Sequence, residues 1–346
     1  MNKYTNLLGF RLSILINILI VFLLSFRLSA QDIHFSQFYA SPLSLNPANT
    51  GFYKGELRLA DIYRTQWFTM PIPYTTNVFS LDKSIYLRKQ RFGIGLLVLN
   101  DKSGDAELAI SKVLLSISYH KIVRQSHFHF GLQGGVVNKA FSLKALTFPD
   151  QYNKLTGYYD PTFPTGDASS GTSITYPDIN AGFSWNSRYG KFSPQAGISI
   201  YHLNQPGETF FGTGNQLTIR KSYYAMLGID INPTYQLRPA VLLTEHTFAS
   251  ELVGGVDLLV AVNDNKSGIE QFVIGIYSRN GILQNFDAVI LHSGITLRYM
   301  DLGLSYDLNL SDLSTATRNQ GAIEFSIVFK KISKLAFQKV IPCERY

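Results

Sequence analysis

Apolar and polar residues alternate with a period of two over long stretches of the chain. From Ser111 to His120, Val113, Leu115, Ile117 and Tyr119 alternate with Lys112, Leu114, Ser116, Ser118 and His120. From Asp301 to Leu310, Leu302, Leu304, Tyr306 and Leu308 alternate with Asp301, Gly303, Ser305, Asp307 and Asn309. Between Ala288 and Met300, one face holds Val289, Leu291, Ile295, Leu297 and Tyr299, with Ser293 the exception. The other face holds Ala288, His292, Gly294, Thr296 and Arg298. Successive side chains of a strand point to opposite faces, so this period predicts strands with one apolar and one polar, glycine-rich face. Strands are predicted at 57–67, 76–84, 92–100, 110–121, 128–138, 179–187, 192–202, 218–230, 237–247, 252–262, 270–279, 287–299, 301–310 and 321–330. The chain is therefore read as all-β, with about 14 strands and a range of 12–16.

Strand length narrows the architecture. A sandwich strand runs roughly 5–6 residues, whereas a tilted membrane strand needs about 9–11. The predicted strands fit the second class. In hydrocarbon every backbone N–H and C=O needs a partner, and among sheets only a closed one supplies it. The expected fold is a transmembrane antiparallel β-barrel over 57–330, with lipid on the apolar face and the polar face toward the lumen. The connections agree: the odd ones are generally longer than the even ones, the longest being 139–178, as in barrels with short periplasmic turns and long external loops. That loop carries Tyr152, Tyr158, Tyr159, Phe163 and Tyr176 and a polar stretch from Gly166 to Thr175, so it is read either as a plug folded into the lumen or as a contact for an external partner. Gly131, Gly135, Gly197 and Gly228 are expected to leave room for large lumen side chains. Tyr119, Tyr201, Tyr223, Tyr277 and Tyr299 are candidates for interfacial girdles.

The start of the chain reads differently. Lys3 and Arg11 precede an apolar run from Leu12 to Phe26, which is shorter than the roughly 20 residues of a membrane-spanning helix. Small residues follow near Ser29-Ala30-Gln31, so 1–30 is expected to be a signal peptide. Segment 31–56 is rich in Pro and Asx, which disfavours regular structure. Its His34, Phe35, Phe38 and Tyr39 suggest packing into the periplasmic mouth, with a loosely attached start as the equal alternative. Residues 331–346 form a tail holding the single cysteine, Cys343.

Composition removes several function classes. Of 31 Lys and Arg against 24 Asp and Glu, three (Lys3, Arg11 and Arg27) lie in the leader, so the net +7 falls to +4 beyond it. No basic block remains to track a phosphate backbone, and nucleic acid is not expected as a partner. A single cysteine gives no disulfide framework. The loops Asp101–Asp105 and Asn263–Gly268 lack the twelve-residue calcium pattern. His127 and His129 share a strand face without a third ligand nearby. No nucleophile elbow or phosphate-binding glycine loop occurs. Neither a catalytic site nor a cofactor is expected.

The residues of interest are charges on wall faces. Arg58, Ala60, Ile62, Arg64 and Gln66 form one face of the first strand, and an Arg toward lipid is costly. Arg58, Arg64 and Gln66 are therefore expected in the lumen, with Asp257, His292, Arg298 and Glu324. Because the first and last strands meet at closure, Arg64 and Glu324 are a plausible structural pair.

The opening of the mature chain also resembles a known family. Phe35-Ser-Gln37, Pro42-Leu43, Asn46-Pro47-Ala48, Gly51 and Tyr63-Arg64-x-Gln66-Trp67 match the opening pattern of the PorP/SprF family of Bacteroidota outer-membrane proteins. Tyr306-Asp-Leu-Asn309 and Gly321-Ala-Ile-Glu324-Phe-Ser326 resemble its closing strands, with Ile323 where the family usually has His. The resemblance implies a non-enzymatic outer-membrane accessory component of type IX protein secretion or gliding. Its expected partners are outer-membrane lipids and secretion subunits or a large secreted surface protein such as an adhesin. The alternative is a small-solute porin or transporter. A clear lumen lined by Arg298, His292 and Lys112 would favour the alternative, and an occluded lumen with a large apolar external or periplasmic patch the accessory role.

Overall fold

A computed structural model describes residues 33–331, apart from 69–71, 89, 105, 143–145, 165–172, 211–213, 248, 263–267, 282–285 and 312–318. The expected signal peptide, the C-terminal tail with Cys343, most of the Gly166–Thr175 stretch and most of the Asn263–Gly268 loop lie outside the described residues. Sixteen strands follow in chain order: β1 (Leu57–Gln66), β2 (Tyr74–Leu87), β3 (Gln90–Ser103), β4 (Leu108–Val123), β5 (Ser126–Ala140), β6 (Tyr152–Asn153), β7 (Tyr158–Tyr159), β8 (Ser173–Ser187), β9 (Phe192–Tyr201), β10 (Arg220–Asp230), β11 (Tyr235–His246), β12 (Ala249–Ala261), β13 (Ile269–Gly281), β14 (Phe286–Leu297), β15 (Met300–Asn309) and β16 (Gln320–Lys331).

All but β6 and β7 form one closed antiparallel barrel of 14 strands, sealed where β1 pairs with β16. Each corresponds to a strand predicted from the alternation. Most run further than expected at one or both ends, because hairpin pairing continues past the apolar alternation into the connections. The long connection shrinks accordingly to 141–172, inside which β6 and β7 make a small separate hairpin.

The two faces of the wall are inverted relative to a soluble protein. On β4, Val113, Leu115 and Ile117 are 50%, 65% and 60% exposed, while Ser116 and Ser118 are buried inside. Phe130, Leu132, Ile274, Ile276, Leu291 and Leu304 continue the exposed apolar band around the barrel. Water would penalise such a surface and hydrocarbon does not, so the band is the lipid-facing wall.

The inside is filled rather than hollow. Segment 33–52 runs through the lumen and packs Phe35, Ala40 and Leu43 against Ile62, Val78, Leu97, Leu99 and Leu114. On the other side, Phe38 and Leu45 meet Tyr224, Leu242, Val253, Tyr277 and Ile290. Each fully buried Phe or Leu stabilises by about 1.5–3 kcal/mol.

Two tyrosines differ from expectation. Tyr201 and Tyr277 are buried in the lumen, where Tyr201 donates to the carbonyl of Ser44 at 2.7 Å and Tyr277 donates to Asp257 at 2.9 Å. Their hydroxyls find partners inside that lipid does not supply. Tyr299 stays exposed in the connection after β14.

Candidate functional site

The candidate site is the seat of segment 33–52 in the wall. The segment has three short helical pieces: 3-10 turns at Phe38–Ala40 and Pro47–Asn49, and one α-helical turn at Pro42–Leu45. Pro42 and Pro47 open two of these, where a missing N–H costs nothing. Between them Asn46 stays extended. Its side-chain oxygen accepts the Ala48 N–H at 2.8 Å, and its amide donates to the carbonyls of Phe183 and Ile198, each at 3.0 Å. One side chain thus caps a turn and satisfies two wall carbonyls.

Glycines in the wall make this approach possible. A Cβ on Gly131 would lie 2.3 Å from the Pro47–Ala48 peptide, and one on Gly93 would lie 2.2 Å from the Thr50 carbonyl. The room at Gly131 serves the segment's backbone, whereas Gly197 leaves space for the Tyr224 ring, as expected of a lumen glycine.

The segment crosses the lumen from one mouth to the other. His34 lies 3.5 Å from Glu251, at the mouth bearing connections 141–172 and 202–219. Glu56 donates its N–H to Lys331 at the opposite mouth, where the short turns lie. The expected seat in one mouth therefore understates its extent. A cavity of about 420 Å³ remains between the segment and the short-turn mouth, lined by Tyr39, Phe52, Gln195, Gln236, Arg238, Gln271, Asp301 and Lys330 among others.

Three polar clusters tie the segment to the wall. The first spans the barrel seam. Arg64 on β1 faces Glu324 on β16 in direct register and is hydrogen-bonded to it. Arg64 also reaches Asp307 at 3.2 Å, and Arg279 reaches Asp307 at 2.9 Å. Ser36 sits in the middle: its hydroxyl donates to both Asp307 oxygens at 2.8 Å and accepts from Arg64 at 3.0 Å. The N–H groups of Ser36 and Gln37 donate to the two Glu324 oxygens at 2.6 and 2.8 Å. Arg64, Arg279, Asp307 and Glu324 are all buried. Two cations thus balance two carboxylates, and the segment takes up remaining lone pairs with backbone N–H groups on Glu324 and the Ser36 hydroxyl on Asp307.

The second cluster joins Arg58 to Asp82 through two bonds of 2.9 and 2.8 Å. Asp82 also accepts the Gly51 N–H at 2.6 Å, and Arg58 donates to the Asn49 carbonyl at 2.9 Å. Gly51 has φ +68° and its Cβ would meet Gly93, so only glycine fits there. The third cluster centres on Asp257, which takes bonds from Arg238 at 2.7 Å and Tyr277, and lies 3.2 Å from His292 Nδ1. Tyr39 bridges it to the segment through a 2.8 Å contact with His292, and Arg238 lies over the Tyr39 ring.

The sequence-derived residues divide clearly. Arg58, Arg64, Asp257, His292 and Glu324 are buried inside and each holds the segment directly or through one neighbour. Gln66 lies at the end of β1 and accepts from Arg64 at 3.4 Å. Arg298 is exposed in the turn after β14, against Tyr299, rather than in the lumen. The alternation stops at Leu297 because the chain reverses there. Asp82, Asp307 and Arg279 were not singled out by sequence reasoning, although Asp82 and Asp307 stand on the polar face of alternating runs.

His120 and His129 lie 2.7 Å apart, one ring donating and the other accepting, and His120 also contacts the Thr50 carbonyl at 2.9 Å. Phe52 packs on His129 with ring centroids 4.0 Å apart. Among the described residues, no three His, Cys, Asp or Glu side chains gather as a metal site requires. The pair is another anchor of the segment.

A family described as type IX secretion system membrane protein PorP/SprF matches residues 28–329. The chain belongs to the PorP/SprF family. Its members are non-catalytic outer-membrane transport or accessory proteins, and this barrel is accordingly an outer-membrane, non-enzymatic protein. No curated protein matches the chain. Among solved structures, the toluene transporter TbuX of Ralstonia pickettii is 10% identical with a TM-score of 0.50, over 84% of this chain and 94% of that one. The CymD monoaromatic hydrocarbon channel is 11% identical with a TM-score of 0.50, over 85% and 93%. These likenesses place the PorP/SprF chain in the same barrel fold.

Proposed function

We propose that this PorP/SprF barrel is an accessory component of type IX protein secretion that helps export, assemble or anchor a partner protein such as an adhesin. The observation that carries this reading is the occupied lumen. Segment 33–52 is bonded to the wall by buried ion pairs from β1, β2, β12, β13, β15 and β16, and two apolar clusters pack around it. A barrel so filled offers no wide passage, and fourteen strands already enclose less space than the 16–18 of a water-filled porin. The protein then acts through its surfaces. The mouth with connections 141–172 and 202–219 faces outward, and the short turns face the periplasm. Exposed Leu155, Tyr158 and Phe163 give the outer mouth apolar contact points for a secreted protein.

The test is purification from membranes in mild detergent, with bound proteins identified by mass spectrometry and conductance recorded in planar bilayers. Secretion subunits or a surface protein retained in stoichiometric amount, with no steady conductance, is the expected result. No partner together with steady conductance would instead establish a small-solute porin.

A further inference from the structure

The geometry points to the short-turn mouth as a collar for anionic glycerophospholipid headgroups, a surface distinct from the lumen and resting on the orientation proposed above. Antiparallel pairing brings the connections after β2, β4, β8 and β14 and the end of β16 to one end of the barrel. Arg88, Lys121, Arg124, Lys191, Arg298 and Lys331 stand exposed there. They follow the circumference from β14 through β16 and β2 to β9, ten of the fourteen wall strands, with no Lys or Arg among the described residues of the turns after β10 and β12.

Three observations separate this ring from an ordinary solvated rim. First, among the described residues no carboxylate pairs with Arg88, Lys121, Arg124, Lys191 or Lys331. Other cations at the same end are already neutralised, as Arg188 is by Asp230 at 2.7 Å. Second, the same turns and strand ends expose Tyr86, Ile122, Tyr189, Ile231 and Tyr299. Aromatic and aliphatic groups beside cations are the composition of a layer between hydrocarbon and headgroups, where long basic side chains reach phosphate. Third, Arg88 and Arg124 occupy tight hairpin connections with φ of +47° and +55°. Gly or Asn adopts that conformation more readily, and the two arginines hold left-handed turn positions at the very tips of their hairpins. A cation at these tips projects past the last hydrogen-bonded pair, at headgroup depth.

A ring favours a leaflet over a protein partner, because a lipid annulus surrounds a barrel and a docked protein covers one side. Arg and Lys pair with phosphate through charge-assisted hydrogen bonds.

The test is native mass spectrometry of the full chain released from detergent after mixing with phosphatidylglycerol, phosphatidylcholine or lipid A. A variant carrying Arg88→Gln, Lys121→Gln, Arg124→Gln, Lys191→Gln and Lys331→Gln is compared with a control carrying Lys102→Gln, Lys154→Gln and Lys221→Gln at the other mouth. Heat-modifiable gel migration confirms that both remain folded. Wild type and control should retain phosphatidylglycerol over phosphatidylcholine, and the ring variant should lose roughly tenfold in that retention. Equal retention by wild type and ring variant would overturn the collar. Loss of an acidic protein partner with lipid retention intact would reassign the ring to a protein surface. Preferential retention of lipid A through the ring would contradict the proposed orientation while leaving the partner-capture test of the secretion role untouched.

Discussion

Segment 33–52 and connection 141–172 are alike in sequence: both are irregular and aromatic, and each leads into a strand of the wall. Their fates differ. In the segment, Phe35, Phe38 and Leu43 are buried, and backbone N–H groups of Ser36, Gln37 and Gly51 end on wall carboxylates. In the connection, Leu155 is 98% and Tyr158 77% exposed. Its hydrogen bonds are largely local, such as Asn153 accepting from Leu155 and Asp160 accepting from Thr162. Aromatic content therefore does not distinguish a plug from a loop. What distinguishes them is whether the wall offers charges and glycines at the right height to receive the backbone.

The contrast breaks most sharply at the seam. Glu324→Ala leaves Arg64 only its longer contact to Asp307 and strips two buried backbone N–H groups of their carboxylate, and removing one partner of such a pair costs about 3–5 kcal/mol. A fall of that size is expected in unfolding free energy, followed by the gel shift of the heat-denatured barrel across a urea series. A next largest effect belongs to Gly131→Val, whose Cβ meets the Pro47–Ala48 peptide. Overpacking costs about 1–3 kcal/mol, and the expected readout is protease cleavage within 33–52 while the barrel stays intact. Asp257→Asn keeps the shape but weakens bonds to Arg238 and His292, by about 1.5–3 kcal/mol if the charged bonds are lost. In the connection, Tyr158→Ala should change stability by no more than about 0.5 kcal/mol in the same urea assay.

The smallest effect is local and pH-dependent. Thr162 donates its hydroxyl and its N–H to Asp160 at 2.6 and 2.9 Å, which holds that carboxyl below its ordinary range. A lowered carboxyl contributes order above its ordinary pKa and loses it as the pH falls through the lowered value. The Thr162 amide shift, followed by NMR from about pH 6 down to about pH 2, should move only at the acid end of that range. The barrel signals should not move with it.

Much of the wall was legible because lipid imposes a simple rule on it. Apolar residues at every second position, with polar or glycine residues between, marked each of the fourteen wall strands, whereas the small β6–β7 hairpin inside the long connection carries no such pattern. Arg64 and Glu324 were legible as partners because closure must bring β1 to β16. The seat of the segment was not. It has no period of its own, and its partners Asp82, Asp257, Arg279 and Asp307 stand on strands far apart in sequence. Arg298 shows the reverse error, in which an alternation is carried one residue beyond the point where the chain turns.

The central claim is that segment 33–52 is a bonded part of the barrel. Hydrogen exchange of the protein in lipid nanodiscs, read by mass spectrometry on peptides from 33–52 and 148–163, tests it most directly. The segment should exchange as slowly as the barrel strands, while 148–163 exchanges within seconds. Equal, rapid exchange in both would show that the lumen is not held shut by this segment.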